Sequence, residues 1–258
     1  MLDISYVRRV CEVAVRNPVE FCDRVRGRFE VLRESRLPRP PLTSETPLIQ
    51  GLLALLGGPL SDPYEEEFRE VWTDIENAFA DGDHAVGSGY DGGVSLARAA
   101  YTAVRHLKPD SVVETGVARG VTSRVVLEAL KQNGVGHLWS IDLPPLAVGW
   151  QASSALCVTS DLRENWTLIR GASRRSLPAL VGERGCLGLF IHDSLHTYSN
   201  MMWEMNEVWP YLERGGLLLS DDVDDNYAFL DFAAKVGESF VIAQEERRSG
   251  FIGAIRKS

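Results

Sequence analysis

Several common features are scarce or absent in this 258-residue chain, and each absence excludes a class of protein. No Cys-x-x-Cys spacing occurs among the four cysteines, so we expect neither a structural zinc site nor a disulfide framework. The most apolar run, residues 48–56, is far too short to span a bilayer. No internal repeat or low-complexity tract is found.

Positive charge is also scarce. The chain has 27 Lys and Arg residues against 36 Asp and Glu residues, which gives a formal net charge of −9. This balance argues against sequence-independent binding to nucleic acid or to an anionic membrane, because both need clustered cations. Charged residues such as Asp3 and Arg8 precede any apolar block. We therefore expect no signal peptide, a cytoplasmic protein and a small-molecule partner.

Residues 1–92 are predicted to be mostly helical. Asn17-Pro18, Thr46-Pro47 and Asp62-Pro63 each combine a capping side chain with a proline, as at the first turn of a helix. The third predicted helix carries an apolar stripe of Phe68, Val71, Trp72, Ile75 and Phe79. We interpret this segment as a helical cap that packs on a main domain, lines a substrate pocket or forms a homo-oligomer contact.

A glycine-rich stretch over residues 81–93 separates this cap from the rest. It contains five glycines together with His84 and Tyr90, so regular structure is not expected there. Two interpretations remain open: a lid that closes on substrate, or a flexible linker.

Residues 93–258 alternate between strand and helix patterns. Such alternation predicts an α/β fold with a doubly wound, mostly parallel sheet of seven strands. Only a short polar turn separates the last two strands, so they should form a hairpin with one antiparallel strand. The predicted strands lie near 111–114, 137–141, 167–170, 187–191, 216–220, 239–244 and 251–256.

The most informative stretch runs from residue 111 to residue 145. A β-branched strand is followed by Glu114-Thr115-Gly116-Val117-Ala118-Arg119-Gly120, a helix, and a second strand that ends at Asp142. Asp142 follows Gly116 by 142 − 116 = 26 residues, close to the offset of about 20 at which an acid binds ribose hydroxyls. The turn has neither the G-x-G-x-x-G of dinucleotide sites nor a phosphate-binding Lys, and Glu114 would repel phosphate. We expect an adenosine-like ligand with a cationic amino-acid end.

This turn resembles the first motif of class I S-adenosylmethionine-dependent methyltransferases, E/D-x-G-x-x-x-G. The resemblance implies a Rossmann-like methyltransferase domain over residues 93–258 that binds S-adenosylmethionine. A tight turn without a ligand, or a site for another nucleotide, is the alternative. Ser173 is interpreted as an adenine contact or a helix N-cap, and Trp150 as a wall of the adenine or acceptor site. The candidate cofactor-binding residues are Glu114, Thr115, Gly116, Arg119, Gly120, Ser123, Asp142, Leu143, Ser173, Asp193 and Ser194.

Acidic residues follow the fourth and fifth strands. Asp193-x-x-His196-x-Tyr198 comes after one strand, and Gly215-Gly216 precedes Asp221-Asp222 at the end of the next. This pattern resembles the metal-dependent O-methyltransferases of small molecules, particularly those acting on sugar hydroxyls of natural products. Catechol-type relatives have Lys in place of His196 and Asn in place of Asp222, which leaves the identity of the base in doubt.

We therefore expect Asp193, Asp221 and Asp222 to bind Mg²⁺ or a similar divalent cation, because three carboxylates in one pocket repel each other without a positive charge. His196 is the predicted base for an acceptor hydroxyl, with His192 and Asp193 as rivals. Alternatively, the acids cap helices or bind an arginine. A metal-independent methyltransferase, or a non-methylating hydroxylase-like or scaffolding protein on the same fold, would fit that arrangement.

Overall fold

A computed structural model describes residues 4–44, 46–59, 61–79, 93–146, 154–247 and 249–258. The predicted lid or linker, apart from its last residue, lies outside these ranges, as do His84 and Trp150.

The N-terminal part is helical, as predicted. Asn17 Oδ1 accepts a hydrogen bond of 3.1 Å from the amide of Glu20, which confirms the predicted N-cap. No helix in the described ranges combines the length and apolar composition needed to cross a membrane. The helices described before residue 93 are α1 (Ile4–Arg16), α2 (Pro18–Glu34), α3 (Leu48–Leu56) and α4 (Glu65–Ala78).

The remaining chain forms the predicted seven-stranded sheet, with strand order β3-β2-β1-β4-β5-β7-β6. Only β7 runs antiparallel to its neighbours, which confirms the terminal hairpin. The strands are β1 (Ser111–Thr115), β2 (His137–Asp142), β3 (Trp166–Arg170), β4 (Leu187–His192), β5 (Leu212–Ser220), β6 (Phe240–Gln244) and β7 (Phe251–Arg256). The accompanying helices are α5 (Val94–Leu107), α6 (Val121–Asn133), α7 (Ser173–Arg184), α8 (Tyr198–Val208) and α9 (Ala228–Val236).

β5 is longer than its sequence suggests. It begins at Leu212, before the glycine pair that the prediction placed at its start. Gly215 has a φ of 84°, and the pairing with β4 shifts register between Leu187 and Leu189. A bulge therefore interrupts the strand. Because the bulge breaks the regular alternation of side chains, the sequence pattern does not predict the first residues of β5.

Hydrophobic residues fill both faces of the sheet. Val112 of β1 packs with α3 to α6 on one face, whereas its neighbour Val113 packs with α7 to α9 on the other. Phe68 and Trp72 of the predicted stripe belong to the first of these cores. The helices α3 and α4 therefore share a core with α5 and α6.

α2 takes a different position, across the edge of the sheet where the parallel strands end. Asp23 pairs with Arg175 at 2.8 Å, and Arg24 donates a hydrogen bond of 3.0 Å to the carbonyl of Pro144. Further along the helix, Glu34 accepts a hydrogen bond of 3.1 Å from the amide of Ser199. α2 thus covers the edge at which ligands bind in open α/β sheets.

Candidate active site

A cavity of about 800 Å³ lies between α2 and the carboxyl ends of the central strands. It opens beside β1 and β4, where the strand order reverses direction, as expected for a ligand site in this class of sheet. The predicted site residues that line it are Gly116, Asp142, Leu143, Ser173, Asp193, Ser194, His196, Asp221 and Asp222.

The turn after β1 can only be made by a glycine. Gly116 has a φ of 88°, and a Cβ atom built there would lie 1.9 Å from the carbonyl oxygen of Asp193. The amide of Gly116 donates a hydrogen bond of 2.9 Å to the carbonyl of Ile141. Gly116 therefore brings the tips of β1, β2 and β4 together at the floor of the cavity.

Asp142 lies at the tip of β2 and is 8% exposed. Its Oδ1 accepts a hydrogen bond of 3.3 Å from the amide of Val117, while its Oδ2 has no hydrogen-bond partner among the described residues. Burial raises the pKa of Asp142, and the Val117 amide opposes that shift. The side chain thus offers an unused acceptor to hydroxyl groups in the cavity, which suits a ribose.

Glu114 and Ser123 do not line the cavity. Ser123 and Ser140 donate hydrogen bonds of 2.6 and 2.7 Å to Glu114 Oε2, so the carboxyl group joins β1, α6 and β2 underneath the turn. Burial raises the pKa of Glu114 to about 8. The geometry gives Glu114 a supporting position and no direct contact with the cavity.

Arg119 and Gly120 are also absent from the lining. The guanidinium carbon of the buried Arg119 lies 5.1 Å from the ring centroid of Phe79. Gly120 has a φ of 85° and approaches the backbone of Ala155, since a Cβ atom there would lie 3.2 Å from Ala155 Cα. Both residues shape the turn from behind.

Thr115 hydrogen-bonds to a buried acid, Glu204, that the sequence analysis missed. Glu204 Oε2 lies 2.6 Å from both the hydroxyl of Thr115 and Nδ1 of His192, and Oε1 accepts a hydrogen bond of 2.8 Å from Ser194. Burial alone would raise the pKa of Glu204, but His192 and the neighbouring hydroxyl groups lower it to about 2. This carboxylate fixes the β4 tip to β1, directly behind the cavity.

One signal could have identified Glu204 from the sequence. It lies one helical turn from Met201 and next to Met205, on the side of α8 that is buried. An acid on an apolar helix face must have partners, because a lone buried carboxylate is strongly unfavourable. Its partners, however, come from β1 and β4, which no local pattern reveals.

Leu143 and Ser173 border the part of the cavity beyond Asp142. Ser173 is the first residue of α7, and the N-cap position belongs to Ala172. Its hydroxyl group hydrogen-bonds to Glu204 and contributes to the low pKa of that acid. The alternative interpretation of Ser173 as the N-cap is therefore not supported.

The acidic strand tips meet around His196. One oxygen each from Asp193 and Asp221 and one ring nitrogen of His196 all lie within 4.8 Å of one another. Asp222 lies on the other side of the imidazole, where its Oδ2 is 3.0 Å from Nδ1, and it groups with His196 and Asp225. Two of the three predicted metal ligands, Asp193 and Asp221, therefore lie together with His196, whereas Asp222 belongs to a second group on the other side of the ring.

The electrostatics of this cluster depend on the imidazole. Burial alone would lower the pKa of His196, but the carboxylates of Asp193 and Asp222 outweigh it and raise that pKa well above its ordinary value. Oxygen ligands from several acids and one imidazole nitrogen form a donor set that suits a divalent cation. His192, the rival base, instead faces Glu204 at the back of the sheet edge.

The strand order, the glycine turn and the acid at the β2 tip define a class I methyltransferase fold. Residues 113–223 match the model of a family described as a methyltransferase domain. This part of the chain is therefore similar to a methyltransferase domain, which confirms the resemblance drawn from the sequence. No curated protein sequence gives a significant match.

Solved structures share the fold at low sequence identity. The O-methyltransferase TomG from Streptomyces achromogenes, involved in tomaymycin synthesis and solved with S-adenosylmethionine, aligns with a TM-score of 0.57 and 13% identity over 76% of this chain and 96% of its own. An O-methyltransferase from Bacillus cereus, solved with S-adenosylhomocysteine, aligns with a TM-score of 0.53 and 14% identity over 76% of this chain and 92% of its own.

Proposed function

We propose that this protein is an O-methyltransferase, which transfers the methyl group of S-adenosylmethionine to a hydroxyl group of a small molecule with the help of a divalent cation. One observation carries the proposal: the cavity that contains the glycine turn and Asp142 continues without interruption to the cluster of Asp193, His196 and Asp221. A methyl donor and an activated hydroxyl group could therefore meet within one site.

The turn would hold the methyl donor. Asp142 supplies a free carboxylate oxygen for the ribose hydroxyl groups, and Gly116, which lines the cavity, lets the turn pack closely against the backbone of Asp193. Leu143 and Ser173 border the space that remains for the adenine. These residues fit S-adenosylmethionine in size and in chemistry.

The strand tips would hold the cation. Asp193 and Asp221 offer oxygen ligands, His196 offers a ring nitrogen, and Asp222 lies next to that ring. A bound divalent cation would orient the acceptor hydroxyl and lower its pKa. The same carboxylates would attract a cationic sulfonium at the neighbouring turn.

In the transfer itself, the acceptor oxygen forms a bond to the methyl carbon as the bond from that carbon to sulfur breaks, and S-adenosylhomocysteine leaves. The hydroxyl proton must pass to a base. His196 can take it only from its neutral state, which Asp193 and Asp222 disfavour when they face it. Asp193, which also lines the cavity, is the competing base.

A metal-independent methyltransferase is the second candidate, and a specific observation favours it. His196 lies between Asp193 and Asp222, with its ring nitrogens 3.6 and 3.0 Å from their oxygens. A protonated imidazole there balances the carboxylates without any ion. In that case the acids would orient the acceptor directly.

Thermal unfolding separates these candidates. We expect S-adenosylhomocysteine at a hundredfold excess over its Kd to raise the Tm by roughly 5 to 10 °C. Mg²⁺ should raise it further, and a chelator should reverse only that second rise. No effect of the nucleoside would exclude both candidates, whereas no effect of the metal would leave the metal-independent one.

The acceptor is proposed to be a sugar or a glycosylated natural product. The His196 and Asp222 variations of the strand-tip motif support this choice. Incubation of the protein with S-adenosylmethionine and candidate metabolites should add a mass of about 14 to the true acceptor, because one CH₂ unit is gained in the transfer. We also propose a cytoplasmic location, since three of the four free cysteines are exposed.

A further inference from the structure

We propose that Arg26 and Arg28 of α2 bind an anionic group, a carboxylate or a phosphate, on the acceptor, so that the enzyme selects acidic acceptors. The inference rests on the proposed function and specifies the substrate class of the same site. Both arginines line the cavity, and both are exposed.

The course of α2 places these arginines near the acceptor. Its N-terminal half is attached at the end of the cavity near Asp142, through Arg24 and the carbonyl of Pro144. Its C-terminal end is attached through Glu34 to Ser199, which follows the acidic cluster in the chain. Residues 26 and 28 therefore lie between the donor end and the end at which the hydroxyl would react.

The other cationic side chains of the cavity already have partners. Arg24 pairs with Glu20 at 2.6 Å, and Arg174 pairs with Glu30 at 3.4 Å and stacks on Trp203. Arg26 and Arg28, in contrast, make no hydrogen bond or ion pair with any other described residue. Their guanidinium groups are available to a ligand, for which two parallel hydrogen bonds to a carboxylate or phosphate are the preferred geometry.

Charged side chains line both walls of the cavity. The strand tips contribute Asp193, Asp221 and Asp222, and α2 contributes Arg26 and Arg28. α2 also contributes Asp23 and Glu30, but these acids pair with Arg175 and Arg174. A neutral sugar would leave the two arginines of α2 without a counterpart. A molecule with hydroxyl groups at one end and an anionic group at the other would complement both walls.

The test compares two double variants with the same change in charge. R26Q/R28Q removes the proposed contact, and R16Q/R36Q removes two exposed arginines that do not line the cavity. Each protein is saturated with S-adenosylhomocysteine and Mg²⁺. Calorimetry then measures its affinity for paired probes: 3,4-dihydroxybenzoate against its amide, and glucose 6-phosphate against glucose.

The wild type and R16Q/R36Q should bind the anionic member of at least one pair about tenfold more tightly, and R26Q/R28Q should lose this preference. The absence of any anion preference in the wild type, including binding of no probe, would overturn the inference. So would a preference that survives in R26Q/R28Q. If R26Q/R28Q instead weakens S-adenosylhomocysteine binding, the arginines hold the methyl donor and the inference is wrong. If the wild type fails to bind S-adenosylhomocysteine at all, the proposed function itself fails.

Discussion

Nδ1 of His196 lies 3.0 Å from Oδ2 of Asp222, so a side chain from the loop after β4 is in direct contact with one that follows β5. Asp222 has a φ of 45°, a left-handed conformation that non-glycine residues seldom adopt. The contact joins the two strand tips from which the proposed chemistry requires acids. A substitution at Asp222 therefore tests both the proposed cation site and the proposed base, His196.

Substitution of Asp222 by Asn should weaken the cation site and leave the nucleoside site intact. The change removes a carboxylate that raises the pKa of His196 and that supports the ligand set. We expect Mg²⁺ affinity to fall about 10- to 100-fold, as for other residues that support metal ligands, with S-adenosylhomocysteine affinity within about twofold. Titration calorimetry measures both. Equal loss of the two affinities would mean that the site is misplaced.

The matched control is D110N. Asp110 is exposed and directly precedes β1, at the end of the sheet opposite the cavity. The same change from carboxylate to amide there should alter neither affinity. A loss in D110N would reveal a general effect of charge on binding.

Substitution of Asp142 by Asn should give the opposite result. Its free carboxylate oxygen is the proposed ribose acceptor, and hydrogen bonds to charged groups contribute about 1.5 to 3 kcal/mol. S-adenosylhomocysteine affinity should therefore fall about 10- to 100-fold, whereas Mg²⁺ affinity should not change. Unchanged nucleoside binding in D142N would contradict the assignment of this end of the cavity.

Part of this arrangement follows from local sequence. The turn at Gly116 needs a positive φ, and an acid follows at a strand end 26 residues later. Both features depend on neighbouring residues, so the sequence pattern predicts them. The N-cap at Asn17 is local in the same way. The other two predicted starts, at Thr46 and Asp62, come too early, because Pro47 and Tyr64 occupy the N-cap positions of α3 and α4. The acidic cluster could also be anticipated, because parallel strands end at a common edge.

The rest depends on contacts between distant parts of the chain. The carboxyl group of Glu114 accepts a hydrogen bond from Ser123 of α6 and does not line the cavity, and its position in the motif does not reveal this. Nothing in the sequence of α2 shows that it pairs with Arg175, 152 residues away from Asp23. Glu204 likewise acquires its role only when β1 and β4 meet.

Glu114 makes a prediction about pH. The pKa of its carboxyl group is raised from 4.5 to about 8 by burial, so the folded state keeps a proton that the unfolded state has lost. The stability of the wild type should therefore decrease as the pH rises from about 5 to 8, by up to about 5 kcal/mol from this group. Urea unfolding across that range measures the effect.

The comparison variant is E114Q, whose side chain cannot ionise. It should be close to the wild type in stability at pH 5 and more stable at pH 8, by up to the same amount. Parallel stability profiles for the two proteins would show that Glu114 has an ordinary pKa in the folded state.

Glu204 makes a prediction about stability. In E204Q, Thr115, His192 and Ser194 lose a carboxylate to which they hydrogen-bond at the back of the cavity, and each hydrogen bond to a charged group contributes about 1.5 to 3 kcal/mol. The Tm should drop by roughly 6 to 15 °C. On the same helix, E207Q changes a half-buried acid with no ion pair among the described residues, and should leave the Tm within about 2 °C. A small effect in E204Q would mean that the network does not hold the β4 tip.

The central claim is that the methyl donor and the cation occupy one continuous site. Mn²⁺ in place of Mg²⁺ tests it directly, because a paramagnetic ion broadens the NMR signals of nearby protons. With wild type that is saturated with S-adenosylmethionine, bound Mn²⁺ should strongly broaden the S-methyl signal, and D193N/D221N should abolish the effect while it retains the nucleoside. Tight binding of Mn²⁺ without broadening of that signal, or broadening that persists in D193N/D221N, would contradict the account.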